Sequence, residues 1–167
     1  VLTVVLDTNI YISTLLVKHG VPAQIYRAWR ERRFLVATSA EQLGEVARTL
    51  SYPRIRRRYS ITDASVDELL ATLRLDALIV PGILDATDER LRDPDDAFLL
   101  TVAAESSADI LVSSDQDLLV LQRFGATRMM SPRTFWEYLE QAASAGDLAG
   151  NPRVAGESRP LSEEADK

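Results

Sequence analysis

Short apolar runs of four or five residues recur along this chain, and each is followed by a longer stretch with helical spacing. Leu2–Leu6 is the first; Phe34–Ala37 (FLVA), Ala77–Val80 (ALIV) and Asp109–Val112 (DILV) resemble it, and Thr127–Met130 is a weaker fifth. Runs this short and this rich in Val, Leu and Ile are typical of strands buried on both faces of a parallel sheet. Between them, helical patterns cover Pro22–Glu31, Ala40–Leu50, Asp63–Leu75 and Pro94–Ser106, with a short one near Asp117–Arg123. Ser131 followed by Pro132 opens a last helix, as a cap followed by a first-turn proline. Strands alternating with helices predict an α/β fold built around a mainly parallel sheet.

At 167 residues the chain suits one full-sized domain. We expect that domain over 1–147. From about Ala149 the composition turns to GNPRVAGESRPLSEEADK, which predicts a flexible polar tail over 148–167. The chain has no cysteine, which removes disulfides, thiolate metal sites and cysteine nucleophiles. Val1–Leu6 lacks a basic leader and is too short for the apolar region of a signal peptide, so the cytoplasm is the expected compartment. The net charge of −6 argues against coating nucleic acid through overall positive charge. Arginines still cluster, at Arg27, Arg30, Arg32 and Arg33 and again at Arg54, Arg56, Arg57 and Arg58. Such clusters are either solvated faces or forks that grip phosphate.

Ligands of open parallel sheets sit beyond the carboxyl ends of the strands, so the residues falling there matter most. Asp7 ends the run VVL directly. Asp115 follows DILVSS, with Asp117 two residues later, and Asp93, Asp95 and Asp96 open the helix leading into that strand. Glu41 and Glu45 lie four apart on one face of the helix after FLVA. Taken singly, the aspartates are what helix capping selects, and the glutamates what a solvated face would carry. Taken together, they gather charge at one edge of one sheet, where some must take up protons unless a cation neutralises them. Mg²⁺ or Mn²⁺ prefers such oxygen ligands and commonly bridges to phosphate, which points to phosphoester chemistry. Rival machinery is missing: there is no G-x-S-x-G elbow and no phosphate-binding G-x-x-x-x-G-K-[ST] loop, and the sole histidine, His19, reads as a surface residue.

The blocks VVLDTNIYIS, SAEQLGEVARTL, DPDDAFLLTVAA and DILVSSDQDLL, in register from Val4 to about Trp136, resemble the PIN domain family. They are most similar to the bacterial branch of toxin components of toxin–antitoxin pairs. The resemblance implies a three-layer α/β/α sandwich with about five strands and Mg²⁺- or Mn²⁺-dependent cleavage of RNA. It implies acidic positions at Asp7, Glu45, Asp96 and Asp115, selecting Glu45 over Glu41 and Asp96 over Asp95. Asp7, Asp96, Asp115 and the additional acid Asp117 would hold metal, and Asn9 and Ser113 would support the first aspartate and the water. Many relatives have threonine where this chain has Ser113, and a serine hydroxyl is less restrained at χ1. An antitoxin protein and a homodimer are the partners it suggests. A receiver-type signalling domain fits poorly, because no lysine but Lys167 lies late in the chain. A module that binds RNA or protein without turnover is the alternative function.

Overall fold

The computed structural model describes residues 1–149, and the expected polar tail lies almost wholly outside them. In chain order the elements are β1 (Thr3–Leu6), α1 (Thr8–Leu16), α2 (Val21–Arg30), β2 (Leu35–Ser39), α3 (Ala40–Ser51), α4 (Pro53–Tyr59), α5 (Asp63–Asp76) and β3 (Leu78–Val80). A 3₁₀ turn (Pro94–Asp96) then leads into α6 (Ala97–Ser106), β4 (Ile110–Val112), α7 (Gln116–Leu119), β5 (Arg123–Phe124), β6 (Thr127–Met130) and α8 (Pro132–Ala149). Two compact units divide the chain, Val1–Trp136 and a second beginning at Glu137 within α8. All the strands belong to the first unit.

The six-stranded sheet of that unit has the order β3-β2-β1-β4-β6-β5, parallel throughout except for the β5–β6 pair. This is the expected α/β/α architecture with one strand more. The added strand comes from a hairpin, Phe124 pairing with Thr127 across Gly125, whose φ of +58° suits a residue without a Cβ. The helix expected near Asp117–Arg123 therefore stops at Leu119; Gln122 turns the chain at φ +55° and Arg123 enters β5.

Burial follows strand position. Val4, Val5, Leu6, Ile110, Leu111 and Val112 are almost fully buried, because β1 and β4 have neighbours on both sides and helices over their faces. The run Ala77–Val80 predicts equal burial for β3, but Leu78 and Ile79 are 49% and 43% exposed because β3 is an edge strand. The run Phe34–Ala37 forms a strand shifted to Leu35–Ser39, since Thr38 and Ser39 continue the ladder to β3. The helix expected over Pro94–Ser106 begins as a 3₁₀ turn and becomes α-helical only at Ala97. α4 has no counterpart in the apolar pattern, and none of its residues is buried.

The chain moves from β1 to β2 and β3 on one side, then crosses to β4 and β6 on the other. The strand order thus reverses between β1 and β4. Such a switch point leaves a crevice at the carboxyl ends of the two strands, where the connections diverge.

Candidate functional site

At the switch point Leu6 pairs with Val112, and the Asp7 N–H donates to the Val112 carbonyl at 2.9 Å. Asp7 and Ser113 are therefore the first residues beyond the paired strands. Asp7 holds the N-cap position of α1, yet its side chain makes no capping hydrogen bond. Instead the Ser113 hydroxyl donates to Asp7 Oδ2 at 2.6 Å and accepts from the Asp115 N–H at 2.9 Å. Through one buried hydroxyl the turn after β4 is tied to the acid after β1.

Glu45 arrives from α3. Ser39 caps that helix by accepting from the Gln42 N–H, and the Gln42 side chain is wholly buried. Its Nε2 donates to the Leu6 carbonyl at 2.6 Å and its Oε1 accepts from Thr38 Oγ1 at 2.7 Å, which anchors the start of α3 to the end of β1. Three residues on, and so on a neighbouring face, Glu45 Oε2 accepts from Thr8 Oγ1 at 2.6 Å. Neither Thr8 nor Gln42 stands out among the sequence candidates. The Ser39-x-x-Gln42 spacing of a capping box is the available signal.

The remaining acids divide by role. Asp93 Oδ1 accepts from the Asp95 N–H at 2.9 Å and so caps the 3₁₀ turn, leaving Asp95 exposed. Asp96 is half-buried, and its Oδ2 is buried without a hydrogen-bond partner. Asp115 Oδ1 accepts from the Asp117 N–H at 2.9 Å, so it caps α7 while facing the other acids. Asp117 is half-buried and Glu41 exposed. Asn9 is exposed and hydrogen-bonds to no described side chain; the hydroxyl that meets Asp7 is that of Ser113. Of the arginines of α4, Arg54, Arg57 and Arg58 are exposed while Arg56 is engaged within the fold.

These acids feel one another. Burial pushes the Asp7 carboxyl above its ordinary range; the Ser113 hydrogen bond and then the Thr8 backbone N–H oppose this, and the charges of Glu45 and Asp115 add to it. Asp96 is pushed up to about 7, by burial first and then by the charges of Asp115, Asp7 and Asp93. Two carboxyls are thus driven toward their neutral forms, the condition a nearby cation reverses. Among the described residues no three acidic side chains already close around one point. The donor set is nonetheless all oxygen, and an orphaned buried oxygen on Asp96 leaves one lone-pair site unsatisfied. Mg²⁺ and Mn²⁺ suit such a set, and Mg²⁺ keeps several waters while using only one or two carboxylates.

The chain matches the model of the PIN domain over residues 3–117, a span that contains Asp7, Glu45, Asp96, Asp115 and Asp117. It is also similar to an uncharacterized protein of Methanocaldococcus jannaschii, 30% identical over 119 residues that cover 71% of this chain and 74% of that protein. The chain belongs to the PIN domain family, whose members are generally nucleases that use divalent metals.

Proposed function

We propose that this protein is a Mg²⁺- or Mn²⁺-dependent endoribonuclease that hydrolyses phosphodiester bonds of RNA in the cytoplasm, as the toxin of a toxin–antitoxin pair. What supports the nuclease reading is that Asp7, Glu45, Asp96 and Asp115 lie near enough to one another about the β1–β4 switch point to interact, with Asp7 and Asp96 pushed toward neutrality by burial and by the charges of neighbouring acids. The toxin role is supported by the four sequence blocks alone. An antitoxin protein and a second copy of the chain are the partners proposed with it.

Asp7, Asp96 and Asp115 would hold the cation, with Asp117 beside them. What the cation supplies when bound is a lowered pKa for the attacking water and compensation of charge on the phosphate. The chain's own contribution is orientation. Ser113 fixes one oxygen of Asp7 and the backbone of Asp115 together. Thr8 fixes one oxygen of Glu45 and leaves the other free to accept a proton from water. Hydrolysis would then form one P–O bond to the water oxygen, whose proton passes to Glu45, and break one to the leaving sugar oxygen, which takes up a proton from solvent.

The purified chain is expected to cut single-stranded RNA when Mg²⁺ or Mn²⁺ is added. Asp7→Asn should abolish cleavage while the protein still melts cooperatively. Cleavage that persists unchanged in excess chelator would overturn the proposal. Growth arrest on expression, absent for Asp7→Asn, tests the toxin role separately.

A further inference from the structure

α4 is an anomaly within the fold. It carries four arginines and no acid in a chain of net charge −6, and none of its residues is buried. A helix with no buried face contributes little to a core, so its composition needs another reason. Tyr52, just before it, is 56% exposed and Tyr59, its last residue, 39% exposed. Partly exposed aromatic rings beside arginines are what single-stranded nucleic acid uses, phosphates on the cations and unpaired bases on the rings.

The four arginines are not equivalent. Arg56 Nε donates to the Leu50 carbonyl at 2.7 Å, at the end of α3, and its guanidinium also pairs with Asp63 at the start of α5. It clasps three helices and belongs to the fold. Arg57 reaches back only to the Pro53 carbonyl at 3.3 Å, Arg58 lies 5.4 Å over the Tyr59 ring, and Arg54 points no polar group at the described residues. Their forks are open to solvent.

A path leads from this arm to the acids. Arg48 lies three residues past Glu45 on α3, and the helix ends at Ser51, about 9 Å along its axis from Glu45. Arg48 is the cation in a cavity of about 350 Å³ that it lines with Glu41, Glu45, Pro94, Asp95 and Phe98. Among the described residues it makes no ion pair with these carboxylates. Four acids gathered at the switch point repel a polyanion, so a substrate phosphate needs cations along its approach.

We infer that α4 and Arg48 form the track by which single-stranded RNA reaches the acidic site: Arg48, Arg54, Arg57 and Arg58 hold phosphates, Tyr52 and Tyr59 stack bases, and Arg56 serves the fold. The inference deepens the ribonuclease reading and rests on it for the identity of the strand. An acidic protein partner on the same arginines is the competing occupant.

Binding of a labelled single-stranded oligoribonucleotide and of an RNA duplex is measured by fluorescence anisotropy over a series of salt concentrations. The protein is the full chain carrying Asp7→Asn, which removes turnover. Changing Arg54, Arg57 and Arg58 together to alanine should weaken binding and flatten the plot of log affinity against log salt by about 2, roughly 0.7 for each lost phosphate contact. Tyr52→Ala and Tyr59→Ala should each weaken the single strand about 5- to 150-fold, with the salt slope and duplex affinity unchanged. Arg56→Ala should lower the melting temperature and leave the slope alone. The track is overturned if the triple variant binds RNA with unaltered affinity and slope, or if the tyrosine variants weaken duplex and single strand alike. Wild-type cleavage is scored independently: binding without cleavage sinks the ribonuclease reading and leaves the track, whereas cleavage with an unaffected triple variant sinks the track alone.

Discussion

The two ends of α6 carry carboxyl groups whose acidities move in opposite directions, and both oppose the helix dipole. Asp96 stands at the N-terminal end, where the partial positive charge favours an anion, yet its carboxyl is pushed up to about 7. Glu105 lies in the last turn, where the dipole disfavours an anion, yet its carboxyl is held below its ordinary range. The cause at Glu105 is three backbone N–H groups: those of Gly82, Ile83 and Leu84 donate to it at 2.6, 2.8 and 2.7 Å. At Asp96 burial dominates, with three neighbouring aspartates adding to it. A dipole worth about 0.3–1 kcal/mol is outweighed at one end by backbone hydrogen bonds and at the other by burial and neighbouring charge. One helix thus presents a satisfied carboxylate that serves the fold and an unsatisfied one available to a ligand.

The largest expected effect lies at the unsatisfied end. Asp96→Asn should reduce metal-dependent cleavage by more than the roughly 10- to 100-fold that loss of an outer partner of a metal ligand costs. In chelator the same change should stabilise. The folded carboxyl at about 7 exceeds its ordinary 3.8, so its favourable contribution is complete below about 3.8 and lost as pH rises through about 7. The variant should therefore melt higher than wild type at pH 8 and together with it near pH 4. For a half-buried group, discounted for solvent screening, the gap should be roughly 2–4 °C.

Cation binding gives the next effect. If Asp96 must lose its proton to a divalent ion, affinity for Mn²⁺ should fall as pH drops below about 7. Calorimetry in buffers of different ionisation enthalpy should record proton release near pH 6, and Asp96→Asn should remove most of it. Binding with no proton release would mean that Asp96 is not a ligand.

The sheet could be read from the chain because its central strands are buried on both faces, and such strands must be apolar without interruption, as VVL and ILV are. β5 escaped that logic: its two residues pair only because Gly125 turns back on β6. α4 escaped as well, since a helix that buries nothing leaves no periodic apolar signal. At the site, Asp7 was conspicuous as a charge ending a buried run, and Asp115 as its counterpart after β4. What holds them was not conspicuous. The Ser113 bond to Asp7 spans 106 residues and the Gln42 bond to Leu6 spans 36, so both exist only once the strand order has brought β1 beside β4 and β2. The differing fates of Arg56 and its neighbours likewise depend on α5 lying within reach of one guanidinium and not the others.

The smallest expected effect lies at the satisfied end of α6. Glu105 is half-buried and its carboxyl lowered, so the stability it adds is present above about 4.5, its ordinary value, and lost as pH falls through the lowered one. Glu105→Ala should accelerate amide hydrogen exchange at Gly82, Ile83 and Leu84 near neutral pH and leave the global melting temperature almost unchanged. Leu84 keeps a second tether, because Thr101 Oγ1 donates to its carbonyl at 2.7 Å, so the loop should loosen without detaching. The pH dependence of Mn²⁺ binding is the sharper readout. If local environment alone sets each carboxyl, Glu105→Ala leaves that dependence where it was. If removing Glu105 shifts it, the two ends of α6 are coupled, either through the helix dipole or through the loop that runs from Gly82 toward Asp96, and the acidity of Asp96 is no longer a property of the switch point alone.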